Sequence, residues 1–83
     1  MGAKQDRNYN ILFGKNLRKI RKSKGLSMEM LSYAAEMEYS QISRIELGKI
    51  NTTISTLKQL ADALEVEPKE LLDFQSDDQQ SEH

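Results

Sequence analysis

Cysteine is absent from the 83-residue chain, which excludes a disulfide framework and a thiolate metal site and fits a reducing compartment. The only histidine is His83, the last residue, so no imidazole is offered for a metal or for proton transfer. Apolar runs stop at three residues, as in Ile11-Leu12-Phe13, and nothing reads as a membrane span or a signal peptide. Glycine and proline are scarce, four and one, and no glycine-rich phosphate loop is present. With no thiol, no usable imidazole and its carboxylates scattered, the chain lacks a nucleophile–base pair and is not expected to be an enzyme. No cofactor, metal or small-molecule ligand is expected either, since so small a core lacks a pocket of about 300 Å³.

What the sequence does hold is enough for one domain. At this length a chain buries only about 60 % of its unfolded surface, so a partner subunit would help it. Hydrophobic residues make up 37 % and charged residues 30 %, a globular balance. The net charge of −1 conceals an asymmetry. Asp73, Asp77, Asp78 and Glu82 lie in a stretch without Lys or Arg, whereas residues 1–72 carry 12 bases against nine acids, a net +3. Lys15, Arg18, Lys19, Arg21, Lys22 and Lys24 crowd into ten positions. A basic stretch beside an acidic tail points to a polyanionic partner. By itself such a stretch is more often a solvated helix face.

Periodicity divides the chain into helices. Residues 1–7 are polar and aperiodic and are expected to form a flexible arm ahead of a domain spanning 8–74. Ile11, Phe13, Leu17 and Ile20 keep one helical face apolar, which predicts a helix over 8–24 closed by Gly25. Ser27 caps a second helix over 28–35, and a short break at 36–38 leads into a third over 39–47, closed by Gly48. Thr53 caps a fourth, with Ile54, Leu57, Leu60, Ala61 and Leu64 on its apolar stripe. Pro68 opens a fifth through Leu71 and Leu72 toward Phe74. No segment alternates like a strand, and residues 75–83 read as a disordered acidic tail. The expected fold is all-α, a compact five-helix bundle. Its expected core is Phe13, Leu17, Ile20, Leu31, Ala34, Ile42, Ile45, Leu57, Leu60, Ala61, Leu64 and Leu71, with Met30 and Met37 as fillers.

The segment from Leu26 to Gly48 carries the functional signal. Two short helices joined by a turn of three residues must rest on the first and fourth helices, leaving the outer face of the third free. A major groove about 12 Å wide admits one α-helix. That outer face holds Tyr39, Ser40, Gln41, Ser43 and Arg44, short hydrogen-bonding groups with one guanidinium. Arg44 is either a reader of guanine or else a phosphate clamp or a surface ion-pair partner of nearby Glu residues. Tyr39 is either a base or sugar contact or a ring partly buried against Met37 or Met28.

Over residues 12–73 the chain resembles the helix-turn-helix family of phage repressors, Cro-like regulators and restriction–modification controller proteins. The resemblance rests on Gly14, Leu17, Ile20, Arg21, Lys24-Gly25-Leu26-Ser27, Leu31, Ile42-Ser43-Arg44-Ile45-Glu46-Leu47-Gly48-Lys49, Thr53, Thr56-Leu57, Leu60-Ala61, Ala63-Leu64 and Leu71-Leu72. It implies base-edge contacts from Tyr39, Ser40, Gln41 and Arg44. It implies phosphate contacts from Ser27, Lys49, Asn51 and Thr53, which Ser43 of the same outer face would join. It also implies an ion pair between Arg21 and Glu46. The chain departs from the pattern at Met28, where the family usually has a Gln that grips a phosphate or braces the recognition helix, and at Ser32, where it has Ala. Glu36 stands at a turn position usually held by Gly, and Glu38 opens the recognition helix.

These readings make the chain a sequence-specific binder of double-stranded DNA in the prokaryotic cytosol, a repressor or restriction–modification-type controller. It is expected to act as a homodimer through its fourth and fifth helices on an inverted repeat, with no membrane partner. The alternative is an antitoxin or protein-interaction module of the same fold, which a steep loss of DNA affinity with salt would exclude.

Overall fold

The computed structural model describes residues 6–74, and these form five α-helices and no strand. They are α1 (Arg7–Ser23), α2 (Met28–Ala35), α3 (Tyr39–Glu46), α4 (Ile54–Leu64) and α5 (Pro68–Leu71). The expected acidic tail and most of the expected arm lie outside the described residues. The arm's last two positions do not belong to it. Asp6 accepts a hydrogen bond from the Tyr9 N–H at 3.0 Å, and this cap starts α1 at Arg7 rather than Asn8.

Side-chain caps also set the starts of α2 and α4, whereas α3 begins after Glu38 without one. Ser27 Oγ accepts from the Met30 N–H at 3.0 Å, and Thr53 Oγ1 accepts from the Thr56 N–H at 3.1 Å. In α5, Pro68 takes the first position and the Glu70 carboxylate accepts from the Glu67 N–H at 3.1 Å. That helix stops at Leu71, short of the expected Phe74, whose ring instead packs 5.0 Å from Tyr9 on α1. Helices α2 and α4 end alike, on left-handed residues, Glu36 (φ 57°) and Glu65 (φ 60°). The next residue in each case folds back: the Met37 N–H donates to Ser32 O at 2.9 Å and the Val66 N–H to Ala61 O at 3.0 Å. Met37 and Val66 then lay their side chains on the core, the apolar contact that accompanies this helix stop.

The core is Phe13, Leu17, Leu31, Ala35, Ile42, Ile45, Leu60, Ala61, Leu64 and Leu71. Ile20 and Leu57 lie half-buried at its margin. Three expectations fail. Ala34 is exposed and Ala35 takes its place, because Leu31 and Ala35 share a face one turn apart. Ile54 is 84 % exposed at the open end of α4, and Met30 stands out on the free side of α2.

Helix α3 is held between α1 and α2, α2 rests on α4, and α5 closes against α4 and α1. Gly14 lets α1 cross α3 closely: a Cβ there would run into the backbone carbonyl oxygens of Ile45 and Glu46. Two side-chain amides, from buried Asn16 and exposed Gln59, lock the ends. Asn16 Nδ2 donates to the carbonyls of Glu70 and Leu71 at 3.0 and 2.9 Å, tying the end of α5 to α1. Gln59 Nε2 donates to Ala35 O at 2.7 Å, satisfying a terminal carbonyl of α2 from α4.

Candidate nucleic-acid interface

The geometry of α3 follows from its own sequence. Ile42, Ile45 and Glu46 face inward. Ser40, Arg44 and Leu47 are exposed on the opposite side, Tyr39 is exposed at the first turn on the edge of the face that carries Glu46, and Gln41 and Ser43 lie half-buried on the flanks. The structure therefore brings Ser40 and Arg44 together on one open surface, with Tyr39 beside it at the start of the helix and Gln41 and Ser43 to either side. Tyr39 is half exposed and Arg44 is in no ion pair among the described residues. Leu47, expected as the last helical residue, is the C-cap of α3 and stands 58 % exposed. Its signal was present in the sequence: it lies seven residues after Ser40 and three after Arg44, in line with both.

Glu46 anchors this helix. Arg21 Nε donates to Glu46 Oε2 at 2.6 Å and Nη2 to Oε1 at 3.0 Å, a two-point ion pair between α1 and α3. Arg21 Nη1 also donates to Leu26 O at 2.8 Å, so one guanidinium joins α1, the loop before α2 and α3. The hydrogen bond with Glu46 raises the Arg21 pKa, outweighing the opposing effect of burial.

The remaining candidates surround this surface. Ser27 is exposed and its hydroxyl oxygen is engaged by the cap of α2. Gly48 takes a left-handed backbone (φ 73°), and the Lys49 N–H donates to Arg44 O at 2.9 Å, which closes α3 and leaves the Lys49 ammonium exposed. Asn51 is exposed and its Oδ1 accepts from Asn10 Nδ2 at 2.9 Å, so the loop after α3 is tied to α1. Thr53 is more constrained than the sequence suggests. Besides its capping bond, its hydroxyl donates to Thr56 Oγ1 at 3.0 Å, so both its hydrogen-bonding roles are satisfied within α4.

Among the described residues no group of three His, Cys, Asp or Glu side chains is placed to hold a metal, and no helix is long and apolar enough to cross a membrane.

A helix-turn-helix family model (HTH_3) matches residues 17–71, which contain α2, the turn, α3 and α4 entire. The chain belongs to the helix-turn-helix family. Helix-turn-helix relatives include the control protein C.BamHI of Bacillus amyloliquefaciens, 40 % identical over 68 residues, covering 81 % of this chain and 84 % of that one. Among solved structures, the restriction-modification controller protein C.AhdI of Aeromonas hydrophila superimposes with a TM-score of 0.73 at 37 % identity, over 75 % of this chain and 94 % of its own. The restriction-modification controller protein C.Esp1396I does so with a TM-score of 0.70 at 29 % identity, over 77 % and 87 %. In the helix-turn-helix frame α2 is the supporting helix and α3 the one offered to a groove.

Proposed function

We propose that this protein is a sequence-specific DNA-binding transcriptional regulator of the restriction–modification controller type, with α3 seated in the major groove. The observation that carries the reading is the outer face of α3, where Ser40, Arg44 and Leu47 line up beside Tyr39, exposed and opposite a helix face fixed to the core. The likeness to control and controller proteins over most of the chain supports the same reading. In it Arg44 donates two hydrogen bonds to one guanine, Tyr39, Ser40 and Gln41 contact neighbouring base edges, and Leu47 meets a thymine methyl. Lys49, Asn51, Ser27 and Ser43 hold phosphates. Thr53 contributes as the cap that orients the first N–H groups of α4 rather than through its own hydroxyl.

The protein works as a homodimer on an inverted repeat in the prokaryotic cytosol. Ile54 is 84 % and Leu72 44 % exposed, and both border one apolar hollow with Tyr9, Phe13 and Leu57. A second copy placed there through α4 and α5 would cover these side chains and set the two recognition helices about 34 Å apart. Bound over a promoter the dimer represses, and bound beside it the dimer can activate.

The test uses DNA selected from a random pool, titrated against mixed-sequence duplex. Arg44→Ala is expected to cost about 1–3 kcal/mol on selected DNA and much less on mixed sequence. Lys49→Ala should weaken both alike and lower the salt slope by about 1 per protomer. Equal losses on both DNAs for Arg44→Ala would make Arg44 a phosphate clamp. Failure of the wild type to bind any duplex would remove the reading altogether.

A further inference from the structure

Helix α1 carries a stripe of cations that the contacts above leave unused. Arg7, Ile11, Lys15, Arg18 and Lys22 fall within an arc of about 80° at 3.6 residues per turn. All four of its charged members are exposed. Three adjoining grooves connect them to the recognition helix. Arg7 and Ile11 share the first with Leu47, Gly48 and Lys49. Ile11, Lys15 and Arg18 share the second with Met28, Ser43 and Leu47. At about 500 Å³ it exceeds the pocket size expected of so small a core, because it is a surface groove between helices and not a hollow within the core. Lys15 and Arg18 then share the third with Lys19 and Lys22. The grooves run on from one another because Ile11 and Leu47 line the first two, and Lys15 and Arg18 the last two.

Charge and chemistry in this track favour one ligand. The single carboxylate in it, Glu46, forms the floor of the second groove and is held by Arg21 at 2.6 Å. The Met28 thioether offers no hydrogen-bond donor to an anion, so among the described residues Lys15 and Arg18 are the cationic donors without an ion-pair partner that line this groove with Ser43. From Lys15 to Lys22 the helix advances about 10 Å, against 3.4 Å between successive phosphates of one strand along the duplex axis. We infer that Lys15 and Arg18, continued by Lys22, hold the phosphate backbone of one DNA strand along the flank of α3, extending the interface onto α1. This inference rests on the DNA-binding reading above. It adds a second, sequence-blind wall to the site: base contacts specify, whereas this wall positions the duplex and sets its salt dependence.

The experiment compares Lys15→Gln/Arg18→Gln with a charge-matched control, Lys24→Gln/Lys69→Gln, whose exposed side chains line none of the three grooves. The probe is a 30-base-pair mixed-sequence duplex, titrated by fluorescence anisotropy between about 50 and 200 mM salt, the range over which counterion release is read. The stripe variant should lose about 1.8 from the magnitude of the slope of log affinity against log salt per protomer, and the control much less. On selected DNA the stripe variant should lose the same factor, leaving the ratio of selected to mixed-sequence affinity unchanged. Melting temperatures should match the wild type, because all four residues are exposed. An unchanged slope in the stripe variant, or an equal fall in the control, overturns the role of α1 and leaves α3 as the interface. Absence of duplex binding by the wild type overturns both readings.

Discussion

A methyl group at position 14 would collide with two carbonyl oxygens at the end of α3, and neither belongs to a side chain that can swing away. Gly14→Ala should therefore force α1 and α3 apart and cost about 1–3 kcal/mol, with overpacking as the mechanism. Urea unfolding measures it, and an unchanged midpoint would mean that the crossing can open freely. The opposite sign is expected at Glu36 and Glu65. Both hold left-handed backbone, at φ 57° and 60°, which costs a residue with a Cβ about 1 kcal/mol. Both side chains are exposed, so nothing packed is lost when they are removed. Glycine adds freedom to the unfolded chain, which offsets part of the gain. Glu36→Gly and Glu65→Gly should each raise stability by several tenths to about 1 kcal/mol, additively in the double variant. A lower melting temperature in either variant would contradict the strain assigned to these turns.

The helix-turn-helix unit is set against the rest of the fold by Arg21 and Glu46, and here stability and orientation can be separated. Glu46→Ala leaves the Arg21 guanidinium buried without its carboxylate and should cost about 3–5 kcal/mol. Arg21→Met/Glu46→Leu removes both charges and should recover most of that loss. If the ion pair orients α3, the double variant will fold in a urea titration yet bind selected DNA more weakly than the wild type. Full affinity in the stable double variant would reduce the pair to a packing element. The raised Arg21 pKa means that its share of stability is present at neutral pH and, on the alkaline side, is lost only far into alkali. Neutral and acidic pH should leave this contact charged on the arginine side. The starts of α2 and α4 were legible in the sequence because caps announce them: Ser27 and Thr53 start their helices where their hydroxyls accept a backbone N–H, a signal that α3 lacks. Facing was less legible. In α2, Met28, Met30, Leu31, Tyr33, Ala34 and Ala35 make nearly every side apolar, so only the packing against α4 decides that Ala35 goes in and Ala34 out. At the site, outward exposure of Ser40 and Arg44 follows from their spacing against Ile42 and Ile45. The half-burial of Gln41 depends on neighbours from other helices, and the bond from the Thr53 hydroxyl to Thr56 on a hydroxyl direction that no sequence pattern encodes.

For the molecule as a whole, the exposed isoleucine at the start of α4 poses a physical question. Ile54 belongs to the apolar pattern of α4, yet it leaves most of its surface in water beside Leu72 and the Tyr9 ring. Burying such a side chain is worth about 1.5–3 kcal/mol, and a two-fold contact would bury two copies of it. A domain this small gains from that partner twice over, in stability and in joining two half-site contacts into one binding event. Ile54→Lys tests the proposal cleanly, because a residue already 84 % exposed contributes little to the monomer's own core. Sedimentation should show the wild type associating with rising concentration and the variant remaining monomeric. The variant should keep its far-ultraviolet spectrum and lose at least tenfold in affinity for a selected inverted repeat, while a single half-site binds both proteins equally weakly. A monomeric wild type at high micromolar concentration, with and without DNA, would rule out the dimer. Retained association in Ile54→Lys would move the interface away from this end of α4.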